Sequence, residues 1–278
     1  MSYVAQTFAA VRLDLAEVIR SRWLVFCVAA YGVLAAVLVL VGLRESTLLG
    51  FTGMGRVLLA FSHALVLVLP LLALTATGLV VGRARDDGTL ELLLTHPMRR
   101  TAWLVGVTLT RFVVLLAPLV VVVVGMALYA QTRGQAIPWG FVGRVLAISA
   151  ALLWAFVGIG IAISVGVRHQ ARAITYVVVA WALAVAVLDL GLIGVMVRWR
   201  LHPEAVFTLA ALNPVQDARL ALISGLEPDL GTLGPVGAYL STRVGASSLY
   251  VLGVAWPAVL GTLAWLGAVL GFRRADIT

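Results

Sequence analysis

The sequence predicts an all-α integral membrane protein with six transmembrane helices, an N-terminal amphipathic helix in the membrane interface, and a helical extracytoplasmic loop. Of the 278 residues, 62% are hydrophobic and only 12% are charged, and the mean hydropathy is +1.08. These values exclude an ordinary soluble domain. The apolar runs are continuous over about 20 residues, as in spanning helices, whereas the strands of a membrane barrel alternate apolar and polar residues.

Residues 1–22 are predicted to form the interfacial helix. Their apolar side chains recur at helical spacing, and the charged side chains lie largely on other faces. An ordinary solvated helix is the alternative. The segment lacks the apolar core of a signal peptide and carries Asp14 and Glu17, so we do not expect it to be one.

A transmembrane domain is predicted over residues 23–271, followed by a cytoplasmic tail at 272–278. Its six apolar runs are predicted to be the spanning helices: Trp23–Leu43, Val57–Val81, Phe112–Ala130, Val145–Val167, Ile174–Val197 and Leu249–Gly271. Pro70 and Pro118 predict kinks, which membrane bundles tolerate. The third helix is expected to enter from the interface, with Arg111 extending toward the lipid headgroups.

The arginines predict the topology, because cytoplasmic loops of membrane proteins are rich in basic residues. Arginines concentrate in the N-terminal segment, the loop at residues 83–101, the turn after the fourth run and the tail. Both termini are therefore predicted to be cytoplasmic, and residues 198–248 are predicted to be periplasmic. This pattern accounts for the net charge of +8, so no nucleic-acid partner is expected.

The loop at residues 83–101 is unusual because a leucine-rich segment lies among charges. Four arginines flank a group of three carboxylates: Asp86, Asp87 and Glu91. We predict a short helix over Thr89–Leu94 at the membrane surface, since acidic residues and Gly88 favour its start and Pro97 cannot continue it. Its leucines would need an apolar partner.

The outer loop carries its own helix signal at Asn213-Pro214-Val215-Gln216. Asn213 is predicted to be the N-cap, Pro214 the first helical residue, and Gln216 completes the capping pattern. Gly225 is a suitable C-cap. The sequence therefore predicts a structured outer loop that is large enough to dock another protein.

Sequence motifs of catalysis and metal binding are absent. The chain has no His-Glu-x-x-His, Gly-x-Ser-x-Gly or Cys-x-x-Cys, and its histidines fall at different predicted levels of the membrane. It also has no lysine, which the phosphate-binding loop of an ATPase requires. The chain is therefore predicted not to be an enzyme and to bind no cofactor or metal itself.

Two polar residues within the predicted spans are candidates for function. Asp189 is a carboxylate near the outer membrane face. Carboxylates within a membrane are costly, so each one is a candidate for a functional role. A helix-end charge pair with Arg198, or a contact between subunits, is the alternative for this residue. His63 could carry protons, although a hydrogen-bonded histidine in the bundle interior is the commoner case.

Residues 86–100 (Asp-Asp-Gly-Thr-Leu-Glu-Leu-Leu-Leu-Thr-His-Pro-Met-Arg-Arg) resemble the loop motif of ABC-2 type permeases, the membrane subunits of ATP-binding-cassette transporters. The resemblance extends to the N-terminal helix, the six spans, the long outer loop and the Arg-Arg after the last span. It implies a separate cytoplasmic ATPase that holds ATP and magnesium. The implied coupling residues are Asp86, Asp87, Gly88, Thr89, Leu90, Glu91, Leu92, Leu93, Leu94, Pro97, Arg99 and Arg100.

Within that family the chain is similar to permeases that serve maturation of the copper-containing nitrous oxide reductase. The matching segments are 88–97, 212–214 and 272–274, together with residues of the outer loop. The resemblance implies a bacterial inner-membrane complex of two permease chains, two ATPase subunits and a periplasmic β-helix protein. Docking of that protein would use Asn213, Pro214, Asp217, Arg219 and Leu220. Whether copper, a sulfur species or mechanical force is transmitted stays open.

One alternative is an ABC-2 permease for another substrate, because other permeases share the inner loop. Two rival functions of other classes are also retained. An ion-coupled secondary transporter would use Asp189 and His63 and would need no ATPase, but it leaves the leucine-rich inner loop unexplained. A membrane anchor or assembly platform needs no pathway, and it would tolerate changes at Asp189 and at small interior residues such as Gly158 and Gly160.

Overall fold

The computed structural model describes residues 2–49, 53–95, 98–132, 134, 139–187, 208, 210–225 and 240–274. The helices in these ranges are α1 (Tyr3–Arg20), α2 (Trp23–Leu49), α3 (Gly53–Thr77), α4 (Val80–Asp86), α5 (Thr89–Thr95), α6 (Arg100–Thr132), α7 (Trp139–Gly166), α8 (Gln170–Ala182), α9 (Pro214–Ile223) and α10 (Ala246–Arg274). Turns of π-helix at Leu183–Val187 and Leu240–Val244 follow α8 and precede α10. No strand occurs in the described residues, and the all-α prediction is confirmed.

Four helical segments in the described part of the chain are long and apolar enough to cross a membrane. They are Ala60–Asp86, which combines most of α3 with α4, and the helices Arg100–Thr132, Trp139–Gly166 and Ala246–Arg274. Helix α1 and residues Trp23–Val37 of α2 are together also long and apolar enough to cross a membrane, but the two helices meet at a bend of 63°. The predicted fifth span begins as α8, and its second half lies outside the described residues. Six spans therefore stay a prediction.

Helix α1 presents two different faces. Its protein-facing side consists of residues at four-residue spacing: Gln6, Ala10, Asp14 and Val18. The opposite side is apolar and exposed, with Val4 at 76% and Phe8 at 69%. An apolar face of this kind suits the interface of a bilayer. The charged Asp14, however, lies against the protein instead of facing water, because α6 supplies a partner for it.

The main helix contact in the bundle joins α7 and α10 and depends on glycine. A Cβ added to Gly158 would overlap the carbonyl oxygen of Gly261, and a Cβ added to Gly261 would lie 2.6 Å from the carbonyl oxygen of Trp154. The two backbones are therefore in direct contact, as small residues allow in membrane bundles. The indole Nε1 of Trp154 also donates a hydrogen bond to Thr262 Oγ1 at 3.0 Å.

Helix α9 begins at the residue that the sequence predicts. Asn213 Oδ1 accepts a hydrogen bond from the backbone N–H of Val215 at 3.0 Å, and Pro214 occupies the first turn. Proline at this position loses no helical hydrogen bond, and its fixed φ suits the helix. The predicted N-cap is therefore confirmed.

The position of α9 was not predicted. Asn213 Nδ2 donates to the carbonyl oxygen of Ala184 at 2.7 Å, and Trp256 Nε1 donates to the carbonyl oxygen of Leu212 at 3.3 Å. Trp256 lies about 15 Å along α10 from the first residue of that helix. The N-terminus of α9 is thus inside the bundle, and its C-terminal end returns toward the start of α7, where Gly225 approaches Phe141.

Candidate functional site

The site predicted from the inner loop is built by α4 and α5, which a tight turn connects. Gly88 has a φ of +68°, a conformation that costs glycine little. Its carbonyl oxygen accepts the first hydrogen bond of α5, from the N–H of Leu92 at 3.1 Å. The N–H of Asp87 donates to the carbonyl oxygen of Arg83 at 2.9 Å and closes α4. The short helix that the sequence predicts is present and ends at Thr95, one residue beyond its predicted end.

Leu90 anchors α5 to the rest of the bundle. Its side chain is 1% exposed and belongs to a cluster, here called the Leu90 cluster. The other buried members are Ala10, Val81, Trp103, Leu104, Val107, Ile161, Val165, Ala268, Val269 and Phe272. Within it the rings of Trp103 and Phe272 lie 5.8 Å apart. These residues belong to α1, α4, α6, α7 and α10, so the Leu90 cluster connects α5 with all five helices.

The leucines of α5 differ in exposure. Leu92 is 68% exposed, Glu91 and Thr89 are exposed beside it, and Leu93 is half-buried. Leu90 packs inward, and Leu92 is the leucine that the described surface presents. The coupling role of both residues stays a prediction. Pro97 and the side chain of Leu94 lie outside the part of the chain that can be described.

The flanks of α5 are fixed by hydrogen bonds to other helices. Asp86 Oδ2 accepts from Gln170 Nε2 at 2.6 Å, so this carboxylate is engaged at the start of α8. Ser164 Oγ of α7 accepts from the N–H of Val81 at 2.8 Å. After α5, the N–H of Arg99 donates to Gln6 Oε1 of α1 at 3.1 Å. The predicted contact of Arg99 and Arg100 with headgroups stays a prediction.

A buried ion pair joins α1 to α6 beside this site. Arg111 Nη2 donates to Asp14 Oδ1 at 2.7 Å, and the two side chains are 11% and 6% exposed. The prediction that Arg111 extends toward headgroups is therefore wrong, because a carboxylate on α1 draws it inward. Burial raises the pKa of Asp14 above 3.8, and the charge of Arg111 opposes that change. The stability that this carboxyl contributes is greatest below pH 3.8 and is lost as the pH rises through the raised pKa.

Replacing Arg111 with leucine is expected to lower the free energy of unfolding by about 3–5 kcal/mol, because it leaves a buried carboxylate unpaired. The double variant Arg111→Leu/Asp14→Asn should recover most of that loss, since no buried charge stays uncompensated. Thermal unfolding of the purified protein in detergent measures both effects. Arg12→Leu, at an exposed position of α1, is the control, and an equal loss there would contradict the role of the pair.

The residues predicted to dock a periplasmic protein are mostly buried. Asn213 is 2% exposed, Asp217 is 1% exposed, and Pro214 is buried as well. Helix α9 packs inside the bundle, where its backbone closely approaches Gly253 of α10, and the docking role of these three residues stays a prediction. Arg219 and Leu220 are partly exposed, and their docking role stays a prediction.

The predicted intramembrane candidates are not brought to the α5 site. His63 is half-buried on α3. Asp189 lies outside the described residues. Within the described residues, no group of three or more histidine, cysteine, aspartate or glutamate side chains is arranged to hold a metal ion.

Sequence comparison identifies the family to which this chain belongs. Residues 8–273 match the family described as ABC-2 family transporter protein. A curated relative from Stutzerimonas stutzeri, named "Probable ABC transporter permease protein NosY", is 30% identical over 272 residues, which cover 94% of this chain and 96% of the relative. A relative of the same name from Pseudomonas aeruginosa is 28% identical over 280 residues, covering 96% and 97%. The match runs from α1 to α10, and the chain therefore belongs to the ABC-2 transporter family.

Proposed function

We propose that this chain is the permease subunit of an ABC transporter and couples ATP hydrolysis by a separate cytoplasmic ATPase to transport or mechanical work across the bacterial inner membrane. The main support for the proposal is that one side of α5 is exposed and the other side is buried in the bundle. Leu92 is exposed to a partner, while Leu90 is packed among five helices of the bundle. ATP and magnesium belong to the partner, since this chain has no lysine for a phosphate-binding loop.

In the proposed mechanism, α5 of each chain is inserted in a surface cleft of an ATPase subunit. When two ATPase subunits close around ATP, the cleft moves α5. The helix is short and fixed at both flanks, so it moves as a unit. Leu90 passes the displacement to α6, α7 and α10 through the Leu90 cluster. Because α7 and α10 are in backbone contact, these two helices respond together.

We infer that two copies of the chain assemble with two ATPase subunits. The sequence has no internal repeat that would let one chain enclose a symmetric pathway, and two identical chains would supply that symmetry. The end of the bundle that carries α5 would face the cytoplasm, because arginines concentrate in its loops and both termini.

The proposed physiological work is maturation of the copper centres of nitrous oxide reductase. Support comes from the matching inner-loop and outer-loop segments and from the two relatives named NosY. A periplasmic β-helix protein would dock on the outer loop at residues 198–248. Asn213, Pro214 and Asp217 are buried in this chain, so Arg219 and Leu220 are the more accessible of the predicted docking residues.

A mild-detergent pull-down of the tagged chain from its native membranes, followed by mass spectrometry, tests the proposal. Recovery of an ATPase with a Walker motif together with a β-helix protein is the expected result. Recovery of the ATPase alone would retain the coupling function and remove the role in nitrous oxide reductase maturation. Absence of any ATPase, from chain that elutes as a single folded species, would contradict the coupling function itself.

A further inference from the structure

The helical hydrogen bonds are interrupted in the span that combines α3 with α4. The N–H of Gly78 still donates to the carbonyl oxygen of Leu74 at 2.7 Å. The N–H of Val81, however, donates to Ser164 Oγ of α7 at 2.8 Å rather than within its own helix. Leu79, between them, has a φ of −116° and a ψ of −4°, which depart from α-helical values. A side chain that enters the helical ladder in this way marks a place where a helix can bend.

The end of α3, just before this break, is held against α7 and α8. A Cβ added to Gly160 of α7 would overlap Thr77 Oγ1, and a Cβ added to Gly78 would overlap the side chain of Val177 on α8. Thr77 is fully buried. Contacts this close leave the last turn of α3 no room to shift. Any movement of α4 relative to α3 therefore has to occur at residues 78–79.

Helix α4 has hydrogen bonds on one side and unfilled space on the other. Val81 is bonded to Ser164 of α7, and Asp86 Oδ2 accepts from Gln170 Nε2 at the start of α8 at 2.6 Å. The opposite side of α4, which includes Ala84, lines a cavity of about 300 Å³ that protein atoms do not fill. The far walls of this cavity belong to α1 and α6. Helix α4 thus has room to move toward α1 and α6.

The tight turn at Gly88 makes α4 and α5 a single unit. The N–H of Asp87 closes α4, the N–H of Gly88 donates to the carbonyl oxygen of Arg85 at 3.1 Å, and the carbonyl oxygen of Gly88 begins α5. Helix α4 is about 10 Å long, so a tilt of about 15° at residues 78–79 would displace α5 by about 3 Å. A displacement of this size fits within the cavity.

We propose that α4 and α5 swing as one unit about residues 78–79, away from α7 and α8 and into the cavity, and that Ser164 holds the resting position through the N–H of Val81. The movement rests on the proposed coupling function, because the ATPase supplies the force on α5. It gives that force a direction, toward α1 and α6. The break at residues 78–79 lets α3 stay in contact with α7 while α4 moves.

Hydrogen exchange of the purified full chain tests the role of Ser164 without any partner. The peptide that covers residues 79–86 is followed by mass spectrometry. Ser164→Ala removes the acceptor of the Val81 N–H, so we expect exchange in this peptide to become about tenfold faster. Ser149→Ala, at another buried position of α7, is the matched control and should leave the exchange unchanged. Equal exchange in the Ser164→Ala chain and the unsubstituted chain would overturn the proposal.

The swing itself is tested by the same measurement on the complex with the ATPase, with and without a non-hydrolysable ATP analogue. The analogue closes the ATPase subunits, and we expect exchange at residues 79–86 to rise about tenfold, because the hydrogen bond to Ser164 opens. A peptide from the middle of α3 should not respond. Unchanged exchange at residues 79–86, in a complex that retains its ATPase, would also overturn the proposal.

A filled cavity distinguishes the swing from a general loosening of the complex. Ala84→Phe places a ring in the cavity, and Ala29→Phe makes the same change at an exposed position of α2. Both variants should retain the ATPase, but only Ala84→Phe should abolish the response to the analogue. Ala84→Leu is the milder variant if the ring lowers the yield of folded chain. A response that persists in both folded Ala84 variants would contradict movement into the cavity.

Failure of the coupling function has a different signature. In that case the unsubstituted chain would not retain the ATPase at all. The exchange measured on the chain alone would still decide whether Ser164 holds α4 in place.

Discussion

The Leu92→Asp chain is expected to insert and fold normally but to lose its ATPase partner in the pull-down. Leu92 is 68% exposed, so the substitution disturbs no packing within the chain. In the complex, however, the aspartate would be buried in an apolar cleft without a counter-charge. We expect at least about a 100-fold loss of affinity for the ATPase, since an unpaired buried charge costs several kcal/mol.

Two further variants make this result specific. Arg172→Asp introduces the same side chain at an exposed position near the start of α8, and we expect it to retain the ATPase. The double variant Leu92→Asp/Leu93→Asp should also lose the ATPase, but Leu93 is half-buried and lines the cavity beside α5, so the single variant is cleaner. Undiminished co-purification of the ATPase with Leu92→Asp would refute the coupling role of α5.

Replacing Gly158 with alanine is expected to lower the thermal unfolding midpoint, although alanine is the better helix former by about 1 kcal/mol. The new methyl group would overlap the carbonyl oxygen of Gly261. Backbone atoms cannot move aside as a flexible side chain does, so α7 and α10 must separate. Overpacking of this kind costs about 1–3 kcal/mol, occasionally more. Unfolding in detergent micelles, followed by circular dichroism, measures it.

Gly267→Ala on α10 is the matched control for that variant, because a Cβ there meets nothing within 4 Å. It should leave the unfolding midpoint unchanged or raise it slightly. Similar midpoints for the two variants would show that α7 and α10 are not in backbone contact.

Local features were predictable where a few neighbouring residues determine them. The turn at Gly88 and the cap at Asn213 each depend on residues within one helical turn, and both were recognised. The seven residues of α5 carry leucines on every side, so no periodicity distinguishes Leu90 from Leu92. Only the helices packed around α5 decide which leucine is buried.

Features that join distant parts of the chain were not predictable from one sequence. Asp14 and Arg111 are separated by 97 positions, and neither helix alone shows that the other faces it. The cap at Asn213 predicts where α9 starts but not whether the helix lies outside or within the bundle. That location depends on Gly253, where the close approach to the backbone at Asp217 leaves no room for a side chain.

The length of α6 gives the molecule a lever. Its 33 residues extend about 50 Å, whereas the hydrocarbon core is about 30 Å thick, so about 20 Å of α6 projects beyond the core. Arg111 lies near the base of the projecting part, and α1 is braced against it there through Asp14. A push on α5, which lies just before the first residue of α6, would therefore act on the part of α6 outside the core, together with α1, and be converted into a tilt of the whole helix.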